Sequence, residues 1–294
     1  MADRVATGYG MADESVTIPP LSYNRYLKVP ELIRLQEPQS DPPHHDEILF
    51  IIIHQAYELW FKLILHELDT VAQLLDEAAR VGPGVAGRRC LRRAAFYLRR
   101  VTAVQRLLAE QIHILSTMSP RDFLGFRNHL NPASGFQSGQ FREIEFLAGL
   151  RSAELLEHFT NEPEVRAALE RRLAEPALGD RFYAVLRAWG YHLPQPPAGA
   201  DPQTVAAAEQ QRLQELTQLF SDDEHHHELR EVAEQLVEFD EYLALWRLNH
   251  VQVVERQIGF KRGTGGSSGV AYLVGTLGKR AFPDLWKMRT VLTE

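Results

Sequence analysis

Two histidines in this chain stand in company that histidine rarely keeps. His54 lies in Phe50-Ile51-Ile52-Ile53-His54-Gln55, the most apolar stretch of the sequence, with Phe50 one turn before it on the same helical face. His250 lies on the stripe Leu243, Trp246, His250, Val253, a few turns before a glycine-rich segment. A lone histidine on an apolar face is more often a satisfied core residue than a ligand. Two of them, on the two longest helical windows of the chain, are what a haem pocket requires: one to hold the iron, the other to face the open coordination position. Spacing alone leaves both readings open.

The other candidates for chemistry are weaker. Glu-x-x-His pairs, the spacing used by di-iron bundles, occur at Glu110/His113 and Glu224/His227. The second lies in the solvated run Asp222-Asp223-Glu224-His225-His226-His227, and the first in an Arg-rich helix where the spacing arises by chance. His44 and His45, between Pro42-Pro43 and Asp46-Glu47, suit a helix start. Cys90 has four arginines nearby, Arg88, Arg89, Arg92 and Arg93, which favour a thiolate, but no neighbouring histidine base. Gly263-Thr264-Gly265-Gly266-Ser267-Ser268-Gly269 follows a helix and lacks the offsets of a P-loop or a dinucleotide fingerprint. Its free backbone N–H groups and hydroxyls read as a linker or an anion-binding lid.

The elements that must position these residues are helices. Residues 44–81, 88–119 and 203–258 contain neither glycine nor proline, are far longer than any strand, and are rich in Leu, Ala, Glu, Gln and Arg. The first window carries two apolar stripes, Ile48/Ile52/Leu59/Leu63 and Phe50/His54/Tyr57/Phe61, which predicts a helix buried in the middle of something. Ser119-Pro120-Arg121-Asp122 reads as a helix cap and first turn, and residues 163–174 and 177–189 as two further helices. No period-two alternation with hairpin turns is present, so the expected fold class is all-α. Residues 1–18 read as a mobile arm and 19–294 as a single domain.

Composition narrows the function. With 294 residues, 45% hydrophobic and 24% charged, the chain can bury a substantial core. Thirty-two basic against 39 acidic residues give a net charge of −7, which leaves no footprint for nucleic acid. The longest apolar run, Ile48–Ile53, is too short to span a bilayer, the first residues lack the apolar stretch of a secretory signal, and one cysteine makes no internal disulfide. These features predict a cytoplasmic protein with no membrane partner.

Three segments carry a resemblance. Tyr23-Asn-Arg-Tyr26-Leu27 followed by His45-Asp-Glu-Ile-Leu-Phe50-Ile-Ile-Ile-His54-Gln-Ala-Tyr-Glu-Leu-Trp60-Phe-Lys62 is similar to the N-terminal signature of the tryptophan 2,3-dioxygenases. Phe126-Arg127 with Pro132-Ala-Ser134-Gly-Phe-Gln137-Ser resembles their central motif. Leu245-Trp-Arg-Leu-Asn-His250-Val with Arg256-Gln-Ile-Gly-Phe-Lys-Arg-Gly-Thr264-Gly-Gly-Ser-Ser-Gly269 resembles their C-terminal signature. The resemblance runs from about residue 20 to 290, with all three motifs in order.

It implies a helical bundle enclosing haem b, ferrous when active, that adds both atoms of O₂ to the indole of L-tryptophan and releases N-formyl-L-kynurenine. His250 is then the axial ligand, with Ser134 and Trp246 on the cofactor. His54 hydrogen-bonds the indole N–H, Phe50 and Phe123 line the indole pocket, Arg127 pairs with the substrate carboxylate, and Thr264 contacts its ammonium and carboxylate. The implied assembly is a homotetramer, a dimer of dimers, in which Tyr23, Tyr26 and Leu27 complete a neighbour's pocket. At Phe123 some bacterial members carry tyrosine. Relatives on the same scaffold that monooxygenate a substituted tryptophan, or a non-catalytic haem or tryptophan sensor, are the alternatives.

Overall fold

The computed structural model describes residues 20–197, 199–220, 226–263 and 268–292. Among them the secondary structure is helical, with no strand, so the fold is all-α as the sequence predicts. The chain divides into two compact units at Glu37/Pro38. The expected arm at 1–18 lies outside the described residues.

The first unit shows two short helices, α1 (Tyr23–Leu27) and α2 (Val29–Leu32). Ser22 caps α1 by accepting from the Arg25 amide, and Lys28 joins the two with a left-handed φ of 54°. Neither helix has a buried residue, and Tyr23 and Tyr26 are 74% and 71% exposed. Four or five residues per helix cannot sustain a helix alone in water, so such a segment needs a surface to lie on.

The second unit is built on three long helices: α3 (Glu47–Val81), α4 (Val85–Gln111) and α10 (His227–Ile258). α4 packs along both α3 and α10, and the fully buried Leu68, Val71, Leu75, Leu91, Leu98, Leu229, Val232 and Leu236 form the seam. α3 ends where Gly82, at φ +70°, donates its amide to the Ala78 carbonyl, a geometry that costs glycine little. α6 (Gly139–Ala148) and α8 (Leu178–Ala188) lie against α3, α7 (Pro163–Ala174) against α6, and α9 (Pro202–Leu216) against α12 (Pro283–Lys287). α5 (Pro120–Phe126) and α11 (Val270–Val274) touch α10. α5 is capped as expected, with the Asp122 amide donating to Ser119 Oγ at 3.1 Å.

α3 is long and apolar enough, by length and composition, to cross a membrane. Of that apolar window 28% is buried, and the helix packs against α4, α6 and α8. Its two apolar stripes have different fates. Phe50, His54, Tyr57 and Phe61 face an internal cavity, whereas Ile48, Ile52 and Leu59 are exposed. The window at 203–258 is divided: α9 ends at Leu216, a 3₁₀ turn covers Thr217–Phe220, and α10 begins at His227. The helix from residue 88 likewise gives way to a 3₁₀ turn at Ile112–Thr117.

Polar side chains fix how the long helices register. Tyr57 Oη donates to the Leu108 carbonyl at 2.5 Å and Gln105 Nε2 to that of Phe239 at 3.2 Å. Asn249 Nδ2 donates to the Ala109 carbonyl at 2.9 Å, and Gln257 Nε2 to those of Leu115 and Met118 at 3.0 and 2.9 Å. Two of these carbonyls, those of Leu108 and Ala109, lie in the last turn of α4. The fully buried carboxylate of Asp240 accepts from the Ala281 and Phe282 amides and from Trp286 Nε1, tying the C-terminal segment to α10.

Candidate active site

A cavity of about 580 Å³ opens between α3, α10 and the segments that follow α4. That is the size of a small-molecule or cofactor pocket. Seven of the residues singled out in the sequence line it: Phe50, His54, Phe123, Arg127, Ser134, Trp246 and His250. They come from five separate segments, and only the tertiary fold brings them together.

One wall is an aromatic cluster around His54. The Phe50 ring lies 4.1 Å from the His54 imidazole and 5.7 Å from both Phe123 and Phe126, centroid to centroid. His44 packs on Phe126 at 5.5 Å, and a Cβ at Gly125 would sit 2.8 Å from the His44 ring, so glycine lets the imidazole in. Behind this wall the buried carboxylate of Glu47 accepts from the Gln39 and Ser40 amides and from Ser40 Oγ, which holds it below the usual range although burial opposes the shift. That contact fastens residues 39–44 to the start of α3.

His54 Nδ1 lies 2.7 Å from the Phe50 carbonyl oxygen. A carbonyl only accepts, so Nδ1 carries the proton and the neutral ring offers Nε2 as an acceptor. Burial lowers the His54 pKa, with the Phe50 carbonyl and Glu58 opposing. The ring is therefore neutral at physiological pH.

The opposite wall belongs to α10. His250 packs on Trp246 at 5.0 Å, Trp246 on Phe141 at 4.9 Å, and Phe141 on Phe61 at 5.5 Å. Burial, with the nearby positive charge of Arg142 adding to it, pushes the His250 pKa down to about 4. Among the described residues nothing hydrogen-bonds its ring. A neutral imidazole with a free lone pair, held in an apolar cavity, has the character of a metal ligand. Tyr57 lies between the walls, its hydroxyl pushed up to about 12 by burial, with Trp246 opposing.

At the rim, Arg127 is half-buried and its Nη2 donates to the Arg262 carbonyl, at the entrance of the glycine-rich segment. A guanidinium has five donors, so the rest of its fork stays available to an anion. Ser134 caps the turn Gly135–Gln137, its hydroxyl accepting from the Phe136 amide while its own amide donates to Gln137 Oε1. Thr264 lies outside the described residues, but Gly263 and Gly269 on either side of it line the cavity. Tyr23, Tyr26 and Leu27 belong to the first unit and are exposed there.

The cavity also holds residues the sequence did not single out: Glu58, Gln257, Tyr272, and the buried ions Arg142, Glu145 and Arg247. Glu58 is one turn beyond His54 on the same face, a spacing that pointed to it. Arg247 stands three residues before His250, inside a quoted motif. Arg142 and Glu145 carried no signal beyond an i,i+3 charge pair. Of the di-iron alternative, Glu110 and His113 find no third ligand, and the described residues contain no cluster of three or more metal-binding side chains. Glu224 lies outside them.

Comparison with known proteins agrees with this geometry. The sequence profile of a family described as tryptophan 2,3-dioxygenase matches residues 8–195 and 207–292. A tryptophan 2,3-dioxygenase of a Nocardioides species is 44% identical over 92% of this chain and 95% of its own length. Those of Herpetosiphon aurantiacus and Myxococcus xanthus are 43% and 39% identical, again over 92% of this chain and over 98% and 90% of theirs. A match of this extent, carried by motifs that converge on one cavity, makes the chain a member of the tryptophan 2,3-dioxygenase family.

Proposed function

We propose that this protein is a haem-dependent dioxygenase that opens the indole ring of L-tryptophan with O₂ to give N-formyl-L-kynurenine. The observation that carries the reading is one aromatic cavity holding two neutral imidazoles, from α3 and α10, with a guanidinium at its rim. The His250 side fits haem b: a free neutral imidazole is the ligand, the Trp246 and Phe141 faces suit a flat macrocycle, and Ser134 lines the same cavity. Ferrous haem bound there supplies the activation of O₂.

The chain's own residues select and orient the substrate. Nε2 of His54 accepts the indole N–H, which fixes the ring against rotation. Phe50 and Phe123 flank the indole, and their apolar surface excludes water and strengthens charge pairing at the rim. Arg127 grips the carboxylate with its planar fork. Thr264, by the family resemblance, contacts the amino-acid end of the substrate with its hydroxyl. Cleavage of the C2–C3 bond turns both carbons into carbonyls, a formyl and a ketone, and each takes one oxygen of the same O₂.

Labelled oxygen tests the reading. Reduced enzyme given tryptophan and ¹⁸O₂ is expected to form a product with both labelled atoms. A product labelled once, with the second atom in water, would instead establish a monooxygenase.

The working form on this reading is a homotetramer in the cytoplasm, with no nucleic-acid or membrane partner. The uncovered stripe Ile48, Ile52, Leu59 and the coreless helices α1 and α2 support assembly, and the net charge of −7 and the single buried Cys90 support the setting. Tyr23, Tyr26 and Leu27 then complete a neighbour's pocket. Deleting residues 1–27 is expected to weaken both tryptophan binding and the oligomer, by calorimetry and light scattering. A monomeric truncation that binds tryptophan normally would contradict it.

A further inference from the structure

The cavity contains a buried charge that the reaction above does not use. Arg142 and Glu145 on α6 and Arg247 on α10 are 6%, 7% and 4% exposed, and all three line the cavity. Glu145 accepts from Arg142 Nη1 at 2.5 Å and from Arg247 Nη2 at 2.7 Å. Two guanidiniums thus share one carboxylate, and the triad carries one net positive charge away from water. Their remaining polar contacts are poor: Arg142 Nε and Nη2 reach the Phe136 carbonyl at 3.4 and 3.5 Å, and Arg247 Nη1 the Lys279 carbonyl at 3.5 Å. Those distances are beyond the normal range for N–H···O bonds. The Arg142 guanidinium lies 4.7 Å from the Phe136 ring centroid and 5.5 Å from that of Phe141, which packs on Trp246.

An uncompensated buried charge is costly, and a third ion of opposite sign would offset it. The other acid in the lining, Glu58, is engaged by Gln140 Nε2 at 2.8 Å. The missing anion must therefore come with whatever fills the cavity. We infer that the Arg142–Glu145–Arg247 triad recognises a carboxylate substituent of the group held against His250. On the haem reading, on which this inference rests, that carboxylate is a propionate. Arg142 is the principal contact, because its removal leaves Glu145 and Arg247 as a balanced pair.

The test compares haem b with its dimethyl ester, in which both propionates are neutral. The full-length chain, stripped of haem, is reconstituted with each, and loss to an excess of a haem scavenger is followed at the Soret band. Wild type is expected to lose the ester about thirtyfold faster or more, the range for removing one partner of a buried charge pair. Arg142→Met should release both at similar rates, with its helical circular dichroism retained, and Arg142→Lys should restore part of the preference. Equal retention of both forms by wild type, or an undiminished preference in Arg142→Met, would overturn the inference while leaving the haem reading intact. A chain that develops no Soret band with either would overturn both.

Discussion

His250→Ala is expected to purify folded but almost without haem. The imidazole is the free donor on the α10 side of the cavity, neutral because burial pushes its pKa to about 4, and it is braced by Trp246 at 5.0 Å. Losing a group that merely hydrogen-bonds a metal ligand costs about 10- to 100-fold in affinity, so losing the ligand itself must cost more. Truncation to alanine also leaves a hole of imidazole shape beside Trp246. Added imidazole is therefore expected to bring back haem uptake and the ferrous spectrum in the variant, and to do nothing to wild type. Haem content by pyridine haemochrome, with and without imidazole, checks this. A variant with full haem and an unchanged ferrous spectrum would remove His250 from the role.

Arg127→Ala is expected to lower kcat/KM for tryptophan by about 30- to 150-fold, the loss that follows truncation of one member of a hydrogen-bonded charge pair worth about 2–3 kcal/mol. Arg127 is only half-buried, so the lower part of that range is the better guide. Tryptamine, which keeps the indole but has no carboxylate, should react equally well with both enzymes. The comparison also separates two jobs of the side chain. Its Nη2 anchors the Arg262 carbonyl, and loss of that anchor alone would slow tryptophan and tryptamine alike. Equal losses for the two substrates would thus leave Arg127 as a loop anchor and not a carboxylate clamp.

The sequence revealed more of this cavity than of the bundle around it. His54 and His250 stood out because a polar ring on an apolar helical face is a local signal, and α3 kept the stripe Phe50/His54/Tyr57/Phe61 together on the cavity side. The same periodicity could not say that Ile48, Ile52 and Leu59 would stay uncovered, because covering depends on what packs there. Helix ends are not legible where neither glycine nor proline marks them. α4 stops at Gln111, before the Ile112-His-Ile-Leu stretch, and α9 stops at Leu216, before Thr217-Gln-Leu-Phe220. The triad was invisible because Arg142 and Glu145 look like any solvated pair one turn apart, and Arg247 lies 102 residues beyond Glu145.

The amide side chains that join α10 to α4 and the turn after it set the height of His250. Asn249 and Gln257 bracket His250 one residue before and seven after, and each holds a carbonyl at or beyond the end of α4. Sliding α10 by one turn, about 5.4 Å, would break all three bonds at once. The histidine is thus fixed in height like a bolt in a frame. The contact at the rim, from Arg127 to the Arg262 carbonyl, involves none of these three bonds, so a change there leaves the height of the histidine untouched.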